Sequence, residues 1–143
     1  MKQRLKIIIC YLPLLLVSYF SFCQTAFKKD STFVFSALAK AETHFTESHY
    51  DSALYYTDKA ELYSKKNNYR KGLAYSLIKK TEIYIDKDEL DKADVYPKQI
   101  NLLGQQINDS LIMAVSIMQM AQIKMYGNKV DESIPLFEKC TRN

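Results

Sequence analysis

Histidine and cysteine, the side chains best suited to acid–base or metal chemistry near neutral pH, are few in this chain of 143 residues. His44 and His49 are the only two histidines, five positions apart around a predicted helix end. Such a pair could bind a metal or transfer protons, but two ligands without further ones do not complete a metal site. We therefore interpret His44 as a packing residue and His49 as a turn residue.

Other catalytic patterns are missing from the sequence. It contains no Gly-rich phosphate loop, no nucleophile elbow, no paired cysteines and no His–Glu metal motif. The sequence thus predicts no enzyme, and no bound cofactor or metal.

The first residues are organised like a secretory signal peptide. Three basic residues precede an uncharged run of 16 residues, IIICYLPLLLVSYFSF, and small residues occur at Ser21 and Cys23. We expect cleavage between Cys23 and Gln24 and export to the periplasm or the exterior. A membrane anchor is the weaker alternative because the run falls short of the ~20 residues that comfortably span a bilayer. Lipidation of Cys23 is disfavoured because Phe22 stands where that motif requires a small residue.

Removal of residues 1–23 changes the charge balance. The mature chain has 17 basic and 16 acidic residues, so its net charge is about +1. With so little net positive charge, a nucleic-acid partner is not expected. The series of basic residues from Lys65 to Lys80 is interpreted as a solvated face. Cys140 remains alone, so the mature chain has no internal disulfide and relies on packing.

A repeat with an offset of 40 residues runs through the rest of the chain. The segment Tyr50-Asp51-Ser52-Ala53 returns as Leu90-Asp91-Lys92-Ala93 and as Val130-Asp131-Glu132-Ser133. Further positions align at the same offset: Leu38, Ile78 and Met118 are all large, and Ala41, Thr81 and Ala121 are all small; Ala60, Ile100 and Cys140 also correspond. Only three Gly and three Pro occur, and this scarcity favours helices over a turn-rich β architecture. The repeat therefore predicts stacked helix pairs.

Helical spacing of apolar and small residues predicts coil over 24–31 and helices near 33–47, 51–66, 69–86, 90–106, 110–126 and 131–141. Asp51, Asp91 and Asp131 stand at the start of each second helix, where a carboxylate can accept from backbone N–H groups. Pro97 predicts a kink or a late helix start, and Pro135 is easier to tolerate near its helix start.

The segments SHYDSALYYTDKA, DELDKADVYPKQI and NKVDESIPLFEKC resemble the tetratricopeptide repeat in its longer, ~40-residue form, common in exported bacterial proteins. The resemblance implies an all-α solenoid with repeats over 34–73, 74–113 and 114–143, the last incomplete, after a linker at 24–33. Lys40 and Lys80 depart from the family pattern, which usually has an apolar residue there. Family geometry implies a concave groove for a protein or peptide, lined by first-helix residues: Phe35, Glu42, Thr46, Tyr75, Glu82, Asp86, Gln122 and Tyr126.

The expected function is protein–protein binding by an exported scaffold or adaptor without catalysis. The alternative is an extracytoplasmic sensory input segment of a histidine kinase or a helix-turn-helix regulator. No capping helix follows FEKCTRN, so the Met-rich last unit predicts a possible self-association surface. Contact with a membrane is expected only through the signal peptide.

Overall fold

The computed structural model describes residues 31–141 of the chain. The predicted signal peptide, its cleavage site and the coil over 24–30 lie outside the described residues. The described part is all-α. We number the helices α1 (31–46), α2 (Tyr50–Lys66), α3 (Arg70–Asp86), α4 (Leu90–Ala93), α5 (Pro97–Ile107), α6 (Ser110–Tyr126) and α7 (Val130–Thr141).

The helices pack in sequence as antiparallel pairs, with α4 and α5 together forming the fourth of six helical units. Each helix packs against the next one, and α3 also packs against α6. The predicted all-α class, the number of helices and their bounds to within about two residues are therefore confirmed.

The five turns between the six helical units of residues 31–141 share one geometry. A single residue in each turn has a positive φ of 51–59°, and these residues recur every 20 positions: Ser48, Asn68, Asp88, Asn108 and Asn128. In each turn the next residue donates its N–H to a carbonyl five positions earlier, as His49 does to His44 and Tyr69 does to Ser64. This is the Schellman ending of a helix, which satisfies carbonyls that the helix leaves free.

Asp88 gives a test of this turn, because glycine adopts positive φ without the steric cost of a side chain. Asp88 is exposed, with φ 58°. We expect Asp88→Gly to raise the free energy of unfolding by about 1 kcal/mol and Asp88→Val to lower it by about as much. Urea unfolding checks both changes. Asp88→Ala controls for the lost charge, and a stabilisation by alanine equal to that by glycine would contradict the conformational explanation.

The first hydrophobic cluster joins α1, α2 and α3, and small side chains allow the close approach. Val34, Ala37, Ala60 and Tyr69 are buried together, with Leu38 and Tyr63 against them. A second cluster joins α3, α5 and α6 and consists of Ala74, Leu77, Ile78, Ile100, Leu103 and Ile112. Gly72 and Gly104 lie where helices approach most closely, since a Cβ atom would fall 2.4 Å from the Tyr69 ring or 2.8 Å from the Met113 side chain.

The predicted break at Pro97 is confirmed. Helix α4 ends at Ala93, and α5 begins with Pro97 as its first residue. A proline has no N–H to donate and its ring fits the first turn, so the chain restarts the helix there. Pro135 lies inside α7, six residues into the helix.

The expectation that Asp51 and Asp91 cap their helices is wrong. The N-caps of α2 and α4 are His49 and Glu89, and neither makes a side-chain cap hydrogen bond. The Schellman turn leaves the aspartates two positions after the cap, inside the first helical turn, where their charge still opposes the positive helix end. Asp109 is a true cap of α6, because its Oδ1 accepts from the N–H of Ile112 at 3.3 Å.

Polar side chains connect helices of neighbouring pairs. Buried Gln119 on α6 donates to the backbone carbonyl of Ile78 on α3 at 3.0 Å. Lys71 on α3 lies 3.0 Å from the second oxygen of Asp109, so the cap of α6 also binds α3. That ion pair raises the pKa of Lys71, and together with the backbone bond to Ile112 it lowers the pKa of Asp109. Among residues 31–141, no helix is both long and apolar enough to cross a membrane.

Candidate protein-binding surface

Two aromatic side chains of the predicted groove meet on neighbouring first helices. Phe35 of α1 packs edge-to-face against Tyr75 of α3, with the ring centroids 5.6 Å apart. Phe35 is 42% exposed and Tyr75 is half-buried. Lys71 Nζ lies 5.9 Å from the centre of the Tyr75 ring. The pair presents a rigid aromatic contact area of the type that anchors protein interfaces.

Lys79 brings two of the three predicted acidic residues together. Its ammonium group binds the carboxylate of Glu42 on α1 and, at 2.5 Å, that of Glu82 on α3. It also lies 5.1 Å from the centre of the Phe45 ring. Burial alone would lower the pKa of Lys79, but the hydrogen bonds to Glu42 and Glu82 outweigh it and raise the pKa. Two carboxylates around one cation leave this patch net acidic.

Asp86 is joined to a residue that the sequence analysis did not select. The hydroxyl of Tyr50, at the start of α2, donates to Asp86 Oδ2 at 2.6 Å, and this bond raises the pKa of Tyr50. Thr46 is exposed, and its hydroxyl donates to the carbonyl of Thr43 in its own helix.

The α6 residues stand apart from this arrangement. Gln122 is half-buried and Tyr126 is 54% exposed. Within residues 31–141, no hydrogen bond, ion pair or ring contact joins either of them to the predicted residues on α1 and α3. We define the α1–α3 surface as Phe35, Glu42, Tyr75, Lys79 and Glu82.

Lys79 was missed because it belonged to a basic run interpreted as a solvated face. The sequence spacing contained a signal for it, because Lys79 comes four residues after Tyr75 and three before Glu82. In the repeat, position 79 aligns with Ala39 and Gln119. On a helix those spacings place all three side chains on one face.

His44 and His49 lie closer to a metal-binding arrangement than the sequence predicted. Potential ligand atoms of His44, Glu47 and His49 lie within 4.8 Å of one another, and Glu47 Oε2 is 3.2 Å from His49 Nδ1. The His44 ring is stacked on Tyr56 at 5.4 Å. Ligand atoms around one tetrahedral zinc ion lie only ~3.3 Å apart, so these side chains would have to move closer to bind one. Their present spacing is therefore wider than that of a tetrahedral zinc site.

The last helix pair exposes several large apolar side chains. They are Leu111, Met118, Met125 and Tyr126 on α6 and Val130 and Ile134 on α7. The α3 residue that aligns with Met118 is Ile78, which is buried in the second core cluster. We call these residues the α6–α7 face; they belong to the last unit, for which the sequence predicts self-association.

Comparison with known proteins adds no identification. Neither the models of protein families, nor the curated proteins, nor the solved structures contain a match to this chain. Its functional interpretation therefore depends on its own residues.

Proposed function

We propose that this chain is an exported protein-binding module, built as a tetratricopeptide-type solenoid, that holds a protein or peptide partner on the α1–α3 surface. The strongest support is the identical turn every 20 residues, because a uniform turn sets helix pairs side by side in a regular array. Such an array holds side chains from successive first helices on one surface. Because these side chains are already in place, binding a partner costs little conformational entropy.

The composition of the α1–α3 surface favours a partner with apolar and basic groups. Phe35 and Tyr75 provide aromatic contact area, while Glu42 and Glu82 share the single cation Lys79 and so retain net negative charge. Aromatic residues carry a large share of the binding energy in protein interfaces, and charged rims orient the partner.

The proposal is tested by cross-linked capture of partners from the envelope fraction of the native host. We expect wild-type chain to enrich a protein that Phe35→Ala/Tyr75→Ala loses about tenfold or more, since anchor residues each contribute roughly 1–2 kcal/mol. Val95→Ala/Leu102→Ala removes two exposed apolar side chains elsewhere and serves as the control. Equal capture by both double variants would contradict the proposal.

A second candidate function is sensory input for a larger signalling protein. The observation that favours it is the exposed apolar α6–α7 face, which suits a further helix or another protein domain. A self-contained binding module should stay monomeric, whereas an input segment with this face uncovered should self-associate. Light scattering of the purified chain over a hundredfold concentration range distinguishes the two.

A further inference from the structure

A second groove lies between α1 and α2, on the opposite side of α1 from the α1–α3 surface. At about 100° per residue, Phe33, Ala37 and Lys40 project away from the helix face that carries Phe35 and Glu42. The groove has a volume of about 350 Å³ and is lined by residues of α1 and α2 only. It is therefore independent of the proposed partner site.

The groove has an apolar floor and a basic rim. Phe33 and Tyr63 stack at 4.3 Å across the two helices, and Leu62, 70% exposed, lies beside them. Every charged residue in the lining is a lysine: Lys40, Lys59 and Lys66. An apolar floor with a purely basic rim suits an amphipathic segment that carries carboxylates.

The repeat supplies an internal equivalent of this groove. Lys40 and Tyr56 align with Lys80 and Tyr96 at the 40-residue offset. In each pair the ammonium group lies over the tyrosine ring, 5.6 Å from the centre of Tyr56 and 5.7 Å from that of Tyr96. The two units therefore build the same lysine–tyrosine arrangement.

Inside the array, an acidic helix faces the equivalent lysine. Lys80 lies 2.6 Å from Asp58 and 2.5 Å from Glu61, two carboxylates three positions apart on α2. The half-buried Tyr96 ring lies beside the Lys80 ammonium group and is stacked on Tyr84, with the ring centroids 6.1 Å apart. Lys40 makes no ion pair with any acidic residue in 31–141. The equivalent site around Lys80 thus indicates that this groove suits a helix with two carboxylates three positions apart.

We propose that the α1–α2 groove binds an amphipathic helix of a partner protein, with two acidic residues three positions apart contacting Lys40. The apolar side of that helix packs on Phe33 and Tyr63, just as α2 packs on the helices beside it. Contact with the apolar floor provides the affinity, and the ion pairs between Lys40 and the two acidic residues provide the specificity.

Other segments of this chain match the groove less well. Residues 24–30 contain Lys28 and Lys29 against one acidic residue, Asp30, so their charge does not complement a basic rim. In a second copy, the α7 residues that align with Asp58 and Glu61 are Glu138 and Thr141, which provide one carboxylate instead of two.

The test uses the full-length chain and a labelled peptide with the sequence of residues 50–66, which carries both carboxylates. Fluorescence anisotropy at low ionic strength should show saturable binding. We expect Lys40→Glu to weaken it about tenfold, because the attraction between the ammonium group and the two carboxylates of the peptide becomes a repulsion. A peptide with Asp58→Lys and Glu61→Lys should recover the affinity for the Lys40→Glu chain. Lys98→Glu, an exposed change of equal charge on α5, is the control and should leave binding unchanged.

Four results would overturn the proposal. The peptide fails to bind; Lys98→Glu weakens binding as much as Lys40→Glu does; the charge-swapped peptide fails to recover affinity; or the groove proves to be covered within the chain or by a second copy. The last result would appear as peptide binding only after residues 24–30 are cleaved off, or as a dimer that Lys40→Glu dissociates in sedimentation. None of these measurements depends on the α1–α3 surface, so failure here leaves the proposed function standing.

Discussion

Replacement of Lys80 by methionine is expected to lower the free energy of unfolding by about 2 kcal/mol at pH 7. The Lys80 side chain is only 12% exposed and that of Glu61 only 13%, so the change leaves a largely buried carboxylate without this cation. Lys65 still pairs with Glu61 at 2.5 Å, and Asp58 is largely exposed, which keeps the loss below that of a fully buried pair. Urea unfolding followed by circular dichroism measures the change.

The pH dependence of this loss has a definite sign. Burial alone would raise the pKa of Glu61, but hydrogen bonds from Lys65 and Lys80 lower it below the usual value of 4.5. The stability from a lowered carboxylate pKa is present above the unfolded pKa and disappears as pH falls through the folded one. The difference between wild type and Lys80→Met should therefore shrink as pH falls below about 4.5, and a difference independent of pH would exclude an ionic origin.

The next repeat interface provides the matched control. Met120 aligns with Lys80, while Lys98 and Asn101 align with Asp58 and Glu61. There Asn101 donates to Ser116 Oγ at 2.9 Å instead of entering an ion pair. The triple variant Lys80→Met/Asp58→Lys/Glu61→Asn should consequently regain most of the stability that Lys80→Met loses. A triple variant less stable than the single one would contradict this account.

Replacement of Gly72 by alanine is also expected to destabilise the chain by about 2 kcal/mol. Helix propensity alone would predict the opposite, because alanine is a better helix former than glycine. A Cβ atom at this position would lie 2.4 and 2.6 Å from two carbons of the Tyr69 ring and 2.7 Å from Ser64 Oγ. Tyr69 is buried in the first core cluster, so its ring cannot move without disturbing the contact between α2 and α3. The gain of roughly 1 kcal/mol from propensity offsets only part of that strain.

Gly127 is the control for this substitution. It has φ −78° and is exposed; an added Cβ would lie 3.1 Å from the backbone oxygen of Ile123 and no closer than 3.9 Å to any side-chain atom. We expect Gly127→Ala to change the unfolding free energy by less than about 0.5 kcal/mol. Thermal unfolding of both variants checks the prediction, and a stabilised Gly72→Ala would show that the α2–α3 contact tolerates a wider separation.

The first aspect of the chain that the sequence determined is its helical organisation. Apolar and small residues at helical spacing located the helices, and Pro97 located the break, because both signals act within a few residues. The position of the caps was not predictable in the same way. The Schellman turns shift each helix start, so Asp51 and Asp91 enter the first turn and His49 and Glu89 take the cap positions.

For the candidate surface, the resemblance to the tetratricopeptide repeat selected Phe35, Tyr75, Glu42 and Glu82, and in the structure Phe35 contacts Tyr75 while Glu42 and Glu82 share Lys79. Lys79, which connects the two acids, and Tyr50, which binds Asp86, became evident only in the structure. Contacts between helices depend on the distance and angle of approach, and a periodic pattern does not specify either.

The lysines at positions 40 and 80 show this limit most clearly. In the sequence they are departures from an apolar position in a repeat pattern. In the structure Lys80 is neutralised by two carboxylates from the preceding helix, while the equivalent Lys40 lies at the rim of the α1–α2 groove. The sequence by itself determined the helices, their pairing and the repeat, which follow from local periodicity. Only the tertiary structure decided which of the two equivalent lysines forms ion pairs among residues 31–141, because that depends on which helix packs beside it.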